Sequence, residues 1–297
     1  MQPRTIQAPA KINLSLRITR RRPDGYHELE SLFAPVPGLF DTLEISPAPE
    51  GCSIEPGIPG LAAEDNLIYR AWASFGQATG FRPGLRVGLT KRIPSGAGLG
   101  GGSSDAAAML LWLNAGAGER ALDATALNAL AARLGADVPF FLLGGPAWAT
   151  GIGEVLTPVE LDLSPFTLVL VTPDIHVSTP WAYRRWDELN PEAALQNDRE
   201  ELLTTGHHAN MNRSSLLPMK VRNDFEMAVF PEYPRLRRIK ETLFGLGAAC
   251  CAMSGSGSSL FALFREPERA QTAIQAMRTE GAPVHSEALR HWGVAKR

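Results

Sequence analysis

The sequence predicts an α+β fold, because strand-like and helix-like segments follow each other in a mixed order rather than in strict alternation. The 297 residues suffice for one large domain or two closely associated ones. We place a boundary near Pro158, which divides the chain into residues 1–157 and 158–297. Apolar residues make up 44% of the chain and charged residues 20%, as in an ordinary globular protein.

Charge and cysteine content narrow the classes of partner and location. The formal net charge of −2 disfavours nucleic acid and anionic membranes as partners. The three cysteines (Cys52, Cys250 and Cys251) show neither a disulfide framework nor a zinc spacing, which fits a reducing compartment. No apolar run is long enough to span a membrane. We expect a cytoplasmic protein without a leader, either a monomer or a weak homodimer.

The N-terminal segment is predicted to be a strand with one buried face, because apolar residues occupy every second position from Ile6 to Ile18. This alternation places Lys11, Asn13 and Ser15 together on the opposite face. Lys11 is a candidate cation for phosphate chemistry, although spacing alone favours a lysine facing solvent. The acid-poor start could also indicate a transit peptide, but such a peptide would show helical periodicity.

Composition and apolar periodicity predict the remaining turns, strands and helices. Composition predicts a turn at residues 20–25 and a loop at 49–64, and Glu64-Asp65-Asn66 is expected to cap a helix through about Thr79. Apolar alternation or continuous apolar runs predict strands, and helical periodicity predicts helices. The strands are expected at 28–36, 41–45, 85–90, 166–172, 248–253 and 260–264. The helices are expected from 103 or 104 to about 116 and at 124–134, 231–246 and 267–281, with helical pieces and loop at 187–215.

A glycine-rich segment lies between the predicted strand at 85–90 and the helix that follows it. Glycines allow close backbone approach, and free N–H groups at a helix start attract anions, so we predict a loop that binds the phosphates of ATP. Ser103 and Ser104 can either cap the helix or donate hydroxyls to phosphate and magnesium. The predicted loop residues are Pro94, Ser95, Gly96, Ala97, Gly98, Leu99, Gly100, Gly101, Gly102, Ser103, Ser104 and Asp105.

The same segment also satisfies a dinucleotide-binding pattern, G-x-G-x-x-G, through Gly96, Gly98 and Gly101. Three observations disfavour an oxidoreductase of that kind. The preceding strand alternates instead of being apolar throughout, residues 92–95 separate it from the first glycine, and no second strand ending in an acid follows at the expected distance. The Gly-Lys-Ser/Thr of a P-loop is missing as well. A flexible linker would rarely adjoin a helix start so closely.

Asp137 is a candidate general base, because it is a single carboxylate among apolar residues. It is equally well placed to be the N-cap of a helix beginning at Val138-Pro139, and both interpretations remain open. Tyr26 and His27 follow a turn and could hold a nucleobase, although locally a packing aromatic is the simpler interpretation. Trp181, Tyr183 and Trp186 form a second aromatic cluster, of a kind found more often in cores or interfaces.

Three segments together resemble the sequence motifs of the GHMP kinases: residues 9–14 (PAKINL), residues 94–105 (PSGAGLGGGSSD) and residues 253–259 (MSGSGSS). The resemblance implies an N-terminal ATP-binding domain related to ribosomal protein S5 and a ferredoxin-like C-terminal domain. It also implies that the third segment packs beside the second. An RNA-binding module is a further alternative, because the S5-like fold occurs in RNA-associated proteins, but the net charge disfavours it.

Residues 22–28 (RPDGYHE), 135–140 (GADVPF) and 223–226 (NDFE) resemble one branch of the family. Its members phosphorylate the 2-hydroxyl of a methylerythritol that carries a cytidine diphosphate group, in non-mevalonate isoprenoid precursor biosynthesis. The resemblance implies that Asp137 deprotonates that hydroxyl, that Lys11 steadies the charge on base and phosphoryl group, and that Asn13 helps hold the erythritol part. ATP and Mg²⁺ are the implied cofactors. A homoserine or mevalonate type of kinase is the alternative within the family.

For the cytosine ring, the resemblance implies stacking and hydrogen bonding by Tyr26 and His27, with Tyr183 as a second stacking ring. Trp181 lies close enough in sequence to leave the choice between it and Tyr183 open. The sequence departs from the mevalonate kinase pattern in one respect, since we find no counterpart of the separate glutamate that holds magnesium there. The metal ligands are therefore unassigned.

Overall fold

The computed structural model describes residues 3–58, 60–191 and 221–293. By their internal contacts the residues form two compact units, and strands β1 (Arg4–Arg21) and β2 (His27–Pro47) contribute residues to both. Unit 1 comprises Met1–Ile12, Ala34–Ser95 and Leu99–Gly145, and unit 2 comprises Asn13–Phe33, Gly96–Gly98 and Pro146–Arg297.

Unit 1 is a sheet covered by helices. The second half of β2 pairs antiparallel with β4 (Leu85–Thr90), and β4 pairs parallel with β3 (Cys52–Glu55). Apolar side chains of β2 and β4 pack against the helices, with Leu43, Val87 and Phe75 fully buried. The helices are α1 (Leu67–Thr79), α2 (Gly101–Gly116), α3 (Ala124–Leu134) and α4 (Val138–Leu143).

Local sequence explains where these helices begin and end. The side chain of Asn66 accepts a hydrogen bond from the backbone N–H of Ile68, and Gly80 in the left-handed conformation ends α1. The side chain of Asp123 caps α3 in the same way. Helix α2 has no polar face over most of its length, because it is buried among α1, α3 and α4.

Unit 2 contains a four-stranded antiparallel sheet in the order β11 (Val284–Ala288), β8 (Thr167–Val171), β10 (Leu260–Phe264) and β9 (Cys250–Met253). Among the described residues, β8 is followed by the helices α5 (Thr179–Leu189), α6 (Glu226–Glu232) and α7 (Pro234–Gly245), then by β9, β10, α8 (Pro267–Thr279) and β11. With several helices in the place of the first one, this is the β-α-β-β-α-β order, and together with the strand order of the sheet it confirms the ferredoxin-like arrangement implied by the resemblance. The first half of β2 pairs with β5 (Ala147–Thr150), and β5 pairs with β6 (Val155–Pro158). The short strands β7 (Leu161–Asp162) and β12 (His291–Trp292) pair with each other.

The mixed α+β class is confirmed, and α3 and β10 have the predicted bounds. Other expectations were wrong in detail. The segments at 28–36 and 41–45 belong to one continuous strand, and β3 lies inside the expected loop at 49–64. The predicted helix at 231–246 begins instead at Pro234, after the separate helix α6. Most of the segment at 187–215 lies outside the described residues.

The prediction of one buried face for the first strand was also wrong. Residues 10–16 of β1 are buried on both faces, including the polar side chains of Lys11, Asn13 and Ser15. Alternation in the sequence shows which face of a strand is polar, but it does not show whether that face is exposed. Here the polar face is covered by other parts of the protein. In the part of the chain that the structure describes, no helix is both long and apolar enough to cross a membrane.

Candidate active site

The glycine loop leads directly into helix α2. Gly100 occupies the N-cap position in the left-handed conformation, with φ 73°, and α2 begins at Gly101. The helix therefore starts before Ser103 and Ser104, and no side chain caps it. Of the two roles left open for these serines, capping is excluded, and donation to phosphate and magnesium stays a prediction. The uncapped N–H groups of the first turn, together with the helix dipole, make this end of α2 suited to an anion.

The loop contacts Lys11 closely in unit 1. The backbone N–H of Lys11 donates to the carbonyl of Leu99 at 3.0 Å. A Cβ added to Gly100 would lie 2.9 Å from the ring of Phe141 and 3.2 Å from Cγ of Lys11. Only glycine fits here, both because of the positive φ and because the neighbouring side chains already fill the space.

Lys11 and Asp137 form an ion pair. Nζ of Lys11 lies 3.4 Å from Oδ2 of Asp137, and the lysine side chain is 4% exposed while the aspartate side chain is 33% exposed. The interpretation of Lys11 as a lysine facing solvent was therefore wrong. Asp137 occupies the N-cap position of α4 but makes no capping hydrogen bond. Its carboxylate thus faces a buried ammonium instead of the helix backbone, which is the arrangement a general base beside a charge-stabilising cation needs.

In unit 2 the start of the glycine loop packs against the segment at 253–259, as the resemblance implied. A Cβ on Gly98, whose φ is 77°, would lie 2.0 Å from the carbonyl oxygen of Ser254. Oγ of Ser254 donates to the carbonyl of Gly98 at 2.9 Å. The two backbones can approach this closely because Gly98 carries no side chain at the contact.

Asn13 belongs to the same polar contact. Its backbone N–H donates to Oγ of Ser254 at 3.2 Å, and its side-chain oxygen accepts from the backbone N–H of Gly255 at 2.9 Å. Its side-chain nitrogen donates to Oγ of Ser31 at 2.9 Å. Asn13 therefore supports the third glycine segment, and its contact with an erythritol group stays a prediction.

The segment at 223–226 supports this contact from the other side. The side-chain nitrogen of Asn223 donates to the carbonyls of Met253 and Gly255, both at 2.7 Å. Oε1 of Glu226 accepts from the backbone N–H of Met253 at 2.9 Å. This sequence motif is thus a structural support of the third glycine segment.

A buried triad of charges, formed by Asp41, Lys91 and Asp105, lies behind the loop and was not found from the sequence. Oδ1 of the fully buried Asp41 accepts from the backbone N–H groups of Arg92 and Ile93 at 2.6 and 2.9 Å. Nζ of Lys91 contacts Oδ2 of Asp41 and lies 2.8 Å from Oδ2 of Asp105. The triad therefore connects the chain just before the loop to the first turns of α2.

Two atoms on this part of α2 are buried without a hydrogen-bond partner in the described structure, Oδ1 of Asp105 and Oγ of Ser104. Burial raises the pKa of Asp105 to about 7, and the neighbouring Asp41 adds to the shift while Lys91 opposes it. Burial lowers the pKa of Lys91, but the attraction of Asp105 and Asp41 outweighs it, so the pKa of Lys91 is raised. Lys91 is thus held in its charged form, and Asp105 carries its proton more readily than an exposed aspartate.

An aromatic cluster in unit 2 surrounds His27. Its ring stacks on Tyr183 with centroids 4.4 Å apart and planes at 18°, and it meets the edge of Trp186 at 5.8 Å. Nε2 of His27 lies 2.6 Å from Oδ1 of Asp187. The three residues that hold the imidazole ring all come from α5, which Ser178 caps.

The structure brings together some of the predicted aromatic residues and separates others. Tyr183 lies against His27, whereas Trp181 packs edge-on against Tyr233 at 5.8 Å. The proximity favours Tyr183 over Trp181 as the ring beside His27. The side chain of Tyr26 is 60% exposed and presents a large apolar surface.

His176 approaches the glycine loop in unit 2, with Nδ1 3.3 Å from a Cβ added to Gly96, and no feature of the sequence indicated this.

The chain belongs to the GHMP kinase family. Residues 66–145 match the GHMP kinases N terminal domain and residues 195–283 match the GHMP kinases C terminal domain. The fold agrees with this assignment: the homoserine kinase of Cytophaga hutchinsonii, with 19% sequence identity, superimposes with a TM-score of 0.69 over 98% of this chain and 96% of that one. The dinucleotide-binding alternative is thereby excluded.

Within this family, the chain is similar to 4-diphosphocytidyl-2-C-methyl-D-erythritol kinases. The protein of that name from Solidesulfovibrio magneticus is 45% identical, with 94% of both chains covered. The one from Chlorobium limicola is 42% identical, with 95% of both chains covered. A crystal structure of 4-(cytidine 5'-diphospho)-2C-methyl-D-erythritol kinase shares 39% identity and a TM-score of 0.74, covering 98% of this chain and all of that one.

Proposed function

We propose that the protein transfers the γ-phosphoryl group of ATP to the 2-hydroxyl of 4-diphosphocytidyl-2-C-methyl-D-erythritol, a step of non-mevalonate isoprenoid precursor biosynthesis. Relatives of that name match at 42–45% identity over nearly the whole chain. The observation that carries the chemistry is the ion pair of Lys11 with Asp137 beside the glycine loop. Homoserine and mevalonate kinases share the fold, but at 19% and 12% identity they support the fold alone.

Asp137 is the general base in this proposal. Its partly exposed carboxylate accepts the proton of the acceptor hydroxyl while the hydroxyl oxygen bonds to the γ-phosphorus and the bond to the β-phosphate oxygen breaks, releasing ADP. Buried Lys11 lies 3.4 Å from that carboxylate and supplies a positive charge where negative charge develops on the transferred group. Low exposure of the ammonium strengthens this interaction, because little water screens it.

Residues 94–105 hold the phosphates of ATP in this proposal. The positive-φ glycines keep the backbone open, and the uncapped first turn of α2 directs N–H groups and the positive end of the helix dipole toward the anion. A chain with a net charge of −2 has no general attraction for ATP, so local N–H groups and Lys11 provide the binding.

Magnesium is expected to accompany ATP, since phosphate oxygens supply several of its ligands in kinase sites. Its chemistry is to neutralise charge on the β- and γ-phosphates. Among the described residues no group of three His, Cys, Asp or Glu side chains could hold a metal. The hydroxyl of Ser104 fits a metal–nucleotide complex, because it is buried on the first turns of α2 without a hydrogen-bond partner there.

The cytosine ring is assigned to Tyr26, His27 and Tyr183. His27 and Tyr183 already lie in contact, and the exposed ring of Tyr26 immediately precedes His27. An aromatic face and an imidazole nitrogen supply the stacking and the hydrogen bond that a pyrimidine needs. The cytoplasmic location and the state as a monomer or weak homodimer stay predictions.

The experiment is a kinase assay with purified protein, Mg-ATP and each of three acceptors: the diphosphocytidyl alcohol, homoserine and mevalonate. We expect turnover of the first alone at a substantial rate. Asp137→Ala and Lys11→Ala should fold, as checked by circular dichroism, and should each lose at least ~100-fold in kcat. Asp123→Asn is the matched control, since asparagine also caps a helix well and Asp123 lies on the exposed start of α3.

Equal rates on homoserine would contradict the proposed acceptor and leave a kinase of another specificity. Near-normal kcat in a folded Asp137→Ala variant would contradict the role of general base. Magnesium is tested separately by titrating Mg²⁺ against ATP binding in wild type and in Ser104→Ala. The affinity for ATP alone should change little, and the gain from Mg²⁺ should be clearly smaller in the variant.

A further inference from the structure

Asp187, which no motif singles out, lies against the imidazole of His27. Its Oδ1 lies 2.6 Å from Nε2 of His27, and its Oδ2 lies 3.7 Å from a guanidinium nitrogen of Arg21. The aspartate side chain is 17% exposed and the histidine side chain 6% exposed, so water competes little for this contact. A carboxylate only accepts hydrogen bonds, so a hydrogen bond at this distance requires the proton to lie on Nε2 of His27.

The surroundings of the ring keep it in this orientation. Tyr183 stacks on one face of His27, and Trp186 meets the ring edge-on. Asp187 follows Tyr183 by four residues in α5, so both side chains lie on the same side of the helix. One helix thus supplies a stacking ring, a buried edge and an anionic acceptor, which together determine both the position of the imidazole and the location of its proton.

We propose that Asp187 is a positioning residue that makes the protein select cytosine over uracil; this rests on the proposed binding of cytosine by His27. An imidazole that carries its single proton on Nε2 presents Nδ1 as an acceptor. Cytosine offers an amino donor at C4, whereas uracil offers a carbonyl acceptor there, which would face the lone pair of Nδ1. The carboxylate of Asp187 therefore decides which base the site accepts, without touching the base itself.

The variants are Asp187→Asn, Asp187→Glu and, as the matched control, Glu188→Gln. Asparagine is of equal size but offers both a donor and an acceptor to Nε2, so it permits either histidine tautomer. Glutamate restores a carboxylate, which accepts hydrogen bonds and does not donate them. Glu188 is the next residue of α5, is exposed and pairs with Arg185, away from the histidine.

The probes are CDP and UDP, whose dissociation constants are measured by calorimetry for each variant. Wild type and Glu188→Gln should bind CDP at least about tenfold more tightly than UDP, as expected for a site that pairs a buried polar group with the ligand. Asp187→Asn should lose most of this preference, and Asp187→Glu should recover part of it. In the kinase assay, the KM of Asp187→Asn for the cytidine-bearing acceptor should rise about tenfold, with kcat and the KM for ATP nearly unchanged.

A second measurement does not depend on any variant folding. Nitrogen-15 NMR of histidine-labelled wild type should show His27 protonated at Nε2 and unprotonated at Nδ1. Protonation at Nδ1, or an Asp187→Asn variant that keeps the full preference for CDP, would overturn the inference. An equal loss in kcat and in both KM values would assign Asp187 to structure alone. If His27→Ala weakens CDP binding while Asp187→Asn does not, the inference fails and the proposed function stands; if wild type does not bind CDP, the proposed function itself fails.

Discussion

The buried carboxyl of Asp105 should make the stability of this protein depend on pH. Its pKa is raised from 3.8 to about 7, chiefly by burial. In the unfolded chain the group ionises near its ordinary value, so between these two pH values the folded protein holds a proton that the unfolded protein has released. The contribution of the protonated Asp105 carboxyl to the unfolding free energy is therefore complete below about pH 4. It falls as the pH rises above 4 and is lost once the pH has passed through about 7.

The magnitude follows from the size of the shift. A difference of about three pH units corresponds to about 4 kcal/mol of unfolding free energy. Asp105→Asn removes the ionisation but keeps a side chain of the same shape, whose oxygen still accepts from Lys91. Relative to wild type, this variant should therefore gain roughly 1.4 kcal/mol for each pH unit between about 4 and 7.

The assay is urea unfolding of both proteins at a series of pH values from 5 to 8, followed by circular dichroism. The unfolding free energies of Asp105→Asn and wild type should diverge steadily up to about pH 7 and then run parallel. Asp123→Asn, an exposed aspartate-to-asparagine change in the same unit, should stay parallel to wild type throughout. Parallel profiles for Asp105→Asn as well would refute the account of a buried, proton-binding carboxyl.

Further predictions concern the loop and the thiols. Gly98→Ala should lower the unfolding free energy by at least ~2 kcal/mol, because its Cβ would meet the carbonyl of Ser254 at 2.0 Å, whereas Gly118→Ala, with positive φ but open space, should cost only about 1 kcal/mol. Equal losses in urea unfolding would contradict this. Burial raises the pKa of Cys52 and of Cys250 to about 11, so both thiols should resist iodoacetamide at pH 8 until the protein unfolds, as measured by mass spectrometry. Rapid labelling of the folded protein would contradict the burial.

The sequence predicted several elements that local chemistry decides, although it missed α5, which Ser178 caps. The helix at 124–134 was predicted with both its ends, and in the structure the side chain of Asp123 caps its start. Asn66 and Gly80 delimit α1 for the same reason. The start of α2 was placed too late, because Ser103 and Ser104 are good capping residues, yet Gly100 takes the N-cap position in a conformation that glycine adopts easily.

Long-range packing decided the burial of Lys11 and the direction of the Asp137 carboxylate, which local sequence patterns could not predict. Lys11 lies on the polar face of an alternating strand, and its spacing favoured exposure, but the folded chain covers that face and pairs the lysine with a residue 126 positions away. Asp137 looked equally like a cap and a base, and the direction of its carboxylate in the fold removes the capping bond. Which face of a strand is covered depends on elements far along the chain, so no window of neighbouring residues contains that information.

By itself the sequence determined the mixed fold class, the glycine loop at the start of a helix and, through its motifs, the kinase family. Glycines, capping residues and apolar periodicity act over a few residues, and they can be recognised without a fold. Only the tertiary structure joined Asp41, Lys91 and Asp105 behind the loop, and only it placed Asp187 on His27. Charges and ring nitrogens acquire these roles through burial and distance, which arise when separate parts of the chain pack together.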